Sequence, residues 1–314
     1  MKLLKKQGEK IIPDFIEEDY ISAIETALNR CYYYFDKNIE IRRISQADEN
    51  ELGYDGVLNT IVPFYIQFKR SDFYSPRFTG KIANQRKSVS LPIEKGFFAF
   101  ELLKKGKEYG QHNALYKLSQ NNKAAYVAPL FFKSTELKKL KFLSSALLPV
   151  QYREVYFHPL RGRDLIWRNK TLFKNSITIP PHEIISDRSV NHHYSFCKDY
   201  KVGFHSDPIN LENSKSNNLY YFIQDVFEQL NYNNSENIID KNFRLLSELL
   251  GLKDESEEYN FILTASINRI SGLNLENDIK NITKELSPID KLLIIEDILY
   301  QYFNIRQFVM YNAW

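Results

Sequence analysis

Three residues in the stretch from Glu49 to Lys69, ENELGYDGVLNTIVPFYIQFK, are of types that do chemistry together: Asp55, Gln67 and Lys69. Gly53 to Leu58 begins as a short extended run, Asn59 to Pro63 interrupts it, and Phe64 to Lys69 alternates aromatic and aliphatic residues with polar ones, which is the period of a strand. The pattern predicts two strands and a turn. With the turn centred near Ile61, Asp55 lies across from Gln67, and Gln67 and Lys69 project from the same face because residues two apart on a strand do so. A carboxylate, an amide oxygen and an ammonium converging in this way suit metal-assisted attack of water on a phosphodiester. Asp55 and the Gln67 carbonyl oxygen would hold a hard cation, Mg2+ or Mn2+, for which oxygen is the preferred ligand. Lys69 would orient the attacking water, help lower its pKa and offset charge in the transition state. The plain alternative makes Asp55 a turn former and Gln67 and Lys69 the solvated face of an edge strand.

At these residues the chain resembles the PD-(D/E)XK, or restriction-endonuclease-like, nuclease superfamily. Its core motif is an acid on one strand, then an acid or glutamine, any residue, and lysine on the next, matched here by Asp55 and by Gln67-Phe68-Lys69. The resemblance implies a metal held by Asp55, Gln67 and an upstream acid, for which Glu49 is the first candidate, Glu51 the second and Glu25 a third. It further implies a metal-dependent nuclease acting on DNA, in bacterial defence against phages or mobile elements. Gln67 stands where an acid often sits, which removes one negative charge from the metal site. An alternative follows from that departure: a catalytically inactive nuclease-like scaffold that binds nucleic acid or a protein partner. A third reading is a structural or regulatory protein in which the hairpin is accidental.

The elements needed to position such a site are readable in outline. Helical spacing of Ile21, Ile24, Leu28, Cys31 and Phe35 predicts a helix over residues 16–36, on which Glu25 lies. Ser71 to Pro76 stops the motif strand, and Arg70, Arg77, Lys81, Arg86 and Lys87 follow as candidate phosphate contacts or a solvated basic loop. Phe97 to Leu103 reads as a strand, Gln111 to Gln120 as a helix and Ala124 to Phe132 as a strand interrupted at Pro129. That order suggests a crossover returning to the sheet of the hairpin. Gln111 or His112, at the start of this helix, could reach the catalytic edge, as a glutamine there does in some branches of the superfamily. Ser134 caps a further helix, and Arg153, Arg161, Arg163 and Arg168 are interleaved with aromatics in a segment of solvated loops or base contacts.

Ser176 to Pro180 and Asn191 to Cys197 read as strands, and the pattern Tyr126-Val127-Ala128-Pro129-Leu130-Phe131 followed by a His-His strand is similar to bacterial proteins that carry the same hairpin motif. His192 and His193 point to opposite faces of a strand and, with His205, read as structural, one of them hydrogen-bonded in the core. The expected fold is α/β, a mixed sheet flanked by helices with a restriction-endonuclease-like core over residues 1–208. A turn-rich run, SDPINLENSKSNN, precedes an α-helical C-terminal region over 209–314, suited to partner binding or self-association. Its last helix starts at Ser287-Pro288.

Composition narrows the class. A net charge of +3 means that any nucleic-acid surface must come from local clustering. Two distant cysteines, Cys31 and Cys197, give neither a disulfide framework nor a zinc signature and read as buried small hydrophobes. With no apolar run of signal-peptide or membrane-spanning length, the expectation is a cytoplasmic protein without a membrane partner.

Overall fold

No position from Val62 to Phe68 is exposed, which marks a strand covered on both faces rather than one with a wet side. The structure, a computed structural model, describes residues 8–29, 39–44, 61–102, 109–145, 172–186, 190–205, 208–211, 216–230, 235–254, 256–272 and 286–312. In chain order its elements are Lys10–Ile11 (β1), Glu17–Leu28 (α1), Ile39–Arg42 (β2), Val62–Phe68 (β3), Asp72–Tyr74 (β4), Lys81–Ser88 (α2), Phe97–Glu101 (β5), Gly110–Ser119 (α3), Lys123–Pro129 (β6) and Ser134–Ser145 (α4). There follow Ser176–Ile179 (β7), His193–Phe196 (β8), Val202–His205 (β9), Ile209–Asn210 (β10), Asn217–Asn218 (β11), Leu219–Leu230 (α5), Ser235–Leu250 (α6), Glu257–Ser271 (α7), Pro288–Phe303 (α8) and Arg306–Asn312 (β12). The protein is thus α/β. Among the described residues no helix is long and apolar enough to cross a membrane.

Two compact units share the chain by turns: Met1–Leu28, Phe68–Tyr109 and Tyr126–Ile223 form the first, and Asn29–Gln67, Gly110–Ala125 and Gln224–Trp314 the second. The first unit contains a six-stranded sheet in the order β1-β4-β5-β8-β9-β10, antiparallel throughout. Its core is aromatic: Phe98 stacks on Phe196 across the β5–β8 pair at 5.7 Å, and Phe100 meets Tyr126 and Tyr194 at 5.3 and 5.6 Å. Three acids, Glu17, Glu18 and Asp19, open α1 where the helix dipole favours them. Tyr20 then fixes α1 by edge contacts to Phe68 and Phe131 and by donating its hydroxyl to Ser176 Oγ at 2.7 Å.

In the second unit β12 is the central strand of a three-stranded ladder, antiparallel to β2 through Val309↔Arg42 and to β3 through Phe308↔Phe64. The Phe64 and Phe308 rings stack at 5.5 Å. Ile44, Ile61, Ile239, Ile289, Leu292 and Val309 form one apolar cluster. A capping box starts α8, with Ser287 and Asp290 each bonded to the other's backbone N–H, and Asn304 at φ 51° ends it. The whole second sheet is ordered β11-β7-β6-β3-β12-β2, and β3 and β6 each contribute residues to both units.

Several expectations change on this frame. Among the described residues β3 pairs with β12 and β6, both distant in sequence, while the first arm of the expected hairpin, residues 53–58, lies outside the described residues. The strand expected to stop at Ser71 resumes as β4 in the other sheet. The expected crossover holds in part: β6 does return to the sheet of the motif strand, beside β3, but β5 lies in the other sheet with β4 and β8 on its two edges. The segment read as a basic loop contains α2. In the region 209–314 the described residues form α5 to α8, but the short strands β10 and β11 precede them and β12 follows, its residues 306–311 all buried and so lacking the alternation that advertises a strand.

Candidate functional site

Gln67 is fully buried near the end of β3. Its Nε2 donates to Gln111 Oε1 and to the Phe303 carbonyl, both at 3.0 Å. A backbone carbonyl can only accept, so this second bond fixes the orientation of the amide. The Phe303 carbonyl is one of the last four of α8, which have no partner inside the helix, and Gln67 supplies one. The other half of the amide is not spent in this way: Gln67 Oε1 is out of contact with solvent and has no hydrogen-bond partner among the described residues. Gln111, on the first turn of α3, therefore does reach the motif strand, and it does so by orienting Gln67.

Two residues further on, Lys69 anchors its backbone by donating to the Val127 carbonyl at 2.9 Å. Its ammonium lies 5.9 Å from the Tyr126 ring centre. Burial pushes the Lys69 pKa below its ordinary value, and the Glu17 carboxylate partly offsets this. Glu17 also accepts the Arg70 backbone N–H at 2.8 Å. This acid at the start of α1 was not among the sequence candidates. The only signal for it was the acidic first turn of a helix, which many helices have. Glu25, on the same helix, is half-buried. Glu49, Glu51 and Asp55 lie outside the described residues.

The four basic candidates separate. Arg70 and Arg77 are exposed, Arg77 with φ 72°, and Lys81 is exposed at the start of α2. Arg86 is an internal residue instead. Fully buried, it donates to Ser195 Oγ at 2.5 Å and to the Pro92 carbonyl, with its guanidinium 5.0 Å from the Phe97 ring centre. Burial lowers its pKa to about 10, and a phosphate cannot reach it. The periodicity of residues 81–88 carried no sign of this, because an arginine on a polar helix reads as solvated.

The three histidines of the His-His strand and of β9 are interior or flank the core. His205 Nε2 is 2.5 Å from Ser195 Oγ, and His192 stacks on Phe204 at 5.1 Å. His193 is half-buried, 3.9 Å from Glu101. Cys197 is a buried free thiol.

Compared with protein-family profiles, with curated proteins and with solved structures, the chain has no match. What the described residues offer to a metal is the Gln67 carbonyl oxygen, already oriented and without a competing donor. Gln67 Oε1 is one of several such buried acceptors, Gln307 Oε1 and Asn210 Oδ1 being others, and an amide oxygen of this kind can accept from a water or serve as an oxygen ligand to a hard cation.

Proposed function

We propose that the chain is a metal-dependent nuclease that hydrolyses phosphodiester bonds, DNA being the substrate implied by its resemblance to the PD-(D/E)XK superfamily. Asp55, Gln67 and Glu49 would hold Mg2+ or Mn2+, and Lys69 would orient the water. A bound divalent cation supplies Lewis acidity at the scissile phosphate. The observation that supports this reading is the Gln67 amide, whose N–H groups are engaged while its oxygen has no partner among the described residues. The lowered pKa of Lys69 is consistent with it, since a partly desolvated ammonium acts more strongly on a nearby charge. Defence against phages or mobile DNA is the setting the resemblance implies.

A second reading has its own observation. Gln67 is fully buried, with both N–H groups engaged inside the second unit, as expected of a scaffold that keeps the motif for its packing and binds nucleic acid or a protein without turnover.

One experiment separates the two. Purified protein is incubated with supercoiled plasmid and with single- and double-stranded oligonucleotides in Mg2+ or Mn2+, beside Lys69→Ala and Asp55→Ala. The nuclease reading expects metal-dependent cleavage that falls by about a hundredfold or more in Lys69→Ala, the scale of a lost electrostatic or acid–base group. Cleavage that survives this substitution rejects the assignment. A gel shift without cleavage in any metal selects the scaffold.

A further inference from the structure

The first unit contains a cleft of about 550 Å³, within the range of about 300–1,000 Å³ typical of small-molecule sites. Its apolar side is Phe78, which meets Tyr74 edge-on at 4.8 Å, Tyr74 itself stacking on Phe97 at 4.9 Å. Its polar side has Lys81 and Gln85 from α2, Asn191 ahead of β8, Lys10 of β1, and His193 of β8, which faces Glu101 at 3.9 Å.

Phe78 is only half-buried, yet the backbone around it is arranged to hold it. A Cβ at Gly80 would lie 2.4 Å from the Phe78 ring, and one at Gly8 would lie 2.2 Å from the Phe78 backbone nitrogen. Gly8 therefore needs glycine for close approach of two backbones, while a side chain at Gly80 would displace the Phe78 ring. Arg77, just before it, adopts φ 72°, a conformation that costs a non-glycine residue about 1–2 kcal/mol. The turn is tied down where Phe78 N–H donates to the Ser75 carbonyl, Ser75 N–H to the Glu9 carbonyl and Glu9 N–H to Ser75 Oγ. Strain kept at a partly exposed aromatic side chain marks a functional position more readily than a packing one.

The polar groups define what such a ring would meet. Lys10 is balanced by Asp72 at 2.8 Å. Lys81 has no such carboxylate among the described residues, and neither the Gln85 nor the Asn191 side-chain amide has a hydrogen-bond partner among them. One aromatic platform, two amides that each donate and accept, and one uncompensated ammonium complement a flat heterocycle with a donor–acceptor edge and an attached anion. A simple anion would leave the aromatic side unused, and an apolar ligand would leave the amides unpaired.

We propose that this cleft binds one nucleotide: the base against Phe78, its edge on Gln85 and Asn191, its phosphate on Lys81. The nucleotide is either a free 5′-monophosphate or an unpaired unit of a single strand. The site does not depend on the nuclease reading, because none of its residues belongs to the motif.

The test is isothermal titration of the full-length protein in EDTA with AMP, GMP, CMP and UMP, with a short unstructured oligonucleotide, and with inorganic phosphate. Working in chelator means that loss of the nuclease reading leaves this result standing. At least one mononucleotide or the oligonucleotide is expected to bind saturably, with phosphate alone much weaker. Affinity should fall about tenfold or more in Lys81→Ala and in Gln85→Ala, two variants at surface positions whose unfolding midpoints should match the parent. Whichever of the two ligands the substitutions weaken is the source of the nucleotide. No saturable binding of any of them, binding unchanged by both substitutions, or phosphate binding as tightly as the nucleotides would overturn the proposal.

Discussion

The bond from Gln67 to the Phe303 carbonyl makes a prediction that does not depend on catalysis. Gln67→Ala leaves that carbonyl and the Gln111 oxygen without their donor in a buried place, which should lower stability by about 1–3 kcal/mol in urea unfolding. Gln67→Glu removes the same donor but restores the acid of the commoner motif. If a cation binds there, Mg2+ should raise the unfolding midpoint of Gln67→Glu more than that of the parent, since a ligand bound only by the folded state stabilises it. Equal Mg2+ responses would remove position 67 from any metal site. The buried Arg86–Ser195–His205 chain carries a different prediction. Ser195 Oγ accepts from Arg86 and lies 2.5 Å from His205 Nε2, donating to that nitrogen or accepting from it according to the imidazole tautomer. Burial first, then the Arg86 charge, hold the His205 pKa down to about 3 from an ordinary 6.5. Between these values the unfolded chain takes up a proton that the folded chain refuses. Stability is therefore full above about pH 6.5 and declines as pH falls toward 3, by up to about 1.4 kcal/mol per pH unit from this group. Burial also lowers His182 and His193, which act in the same direction. Urea unfolding at pH 7, 6, 5 and 4 should show the decline, with a shallower slope in His205→Asn. Identical slopes in parent and variant would exclude His205 as a source of the acid sensitivity.

At the scale of elements, what could be read from sequence was what neighbouring residues decide. Ser287-Pro288 predicted the start of α8, and the capping box is there, so Ser287→Ala should cost about 0.5–2 kcal/mol while Ser287→Asp retains most of it. An unchanged denaturation midpoint in Ser287→Ala would show that the box contributes nothing. Gly272 ends α7 at φ 66°, the left-handed conformation that glycine adopts without strain. The strands β5, β6, β7 and β8 and the helix α3 also fell close to where their patterns placed them. Strand pairing was a different matter, because it is decided by segments remote in sequence. Nothing within a window around Val62–Phe68 says that Arg306–Met310 lies against it, and a polar Gln67 in an alternating run reads as wet when it is fully buried. The site was legible to the same degree. The motif residues and a link to Gln111 could be found locally, whereas the burial of Gln67, the contact with α8 and the internal role of Arg86 could not. Asp55 and Glu49 lie outside the described residues, so the structure bears on the Gln67 and Lys69 part of the motif alone.

At the scale of the whole molecule, the decisive property is that neither unit is a continuous piece of chain. The sequence reading divided the chain once, after residue 208, but each unit draws on three separated segments, and the second needs Asn29–Gln67 and Gly110–Ala125 as much as Gln224–Trp314. A fragment of residues 209–314 would carry the helices and β12 but lack β2 and β3, the two strands that pair with β12. Its buried strand would then present two open edges and an apolar face, with Phe308 deprived of Phe64 and Val309 of Ile44 and Ile61. The complementary fragment 1–208 would keep β3 with the β12 edge unfilled. Expressed separately, both fragments are expected to lack a cooperative thermal transition by circular dichroism and to associate at micromolar concentration, while the full chain unfolds cooperatively. Mixing the two fragments should restore part of the transition, because the missing pairings are then available in trans. A sharp transition in the isolated 209–314 fragment would mean that its helices form a core of their own and that β12 is not required to build it.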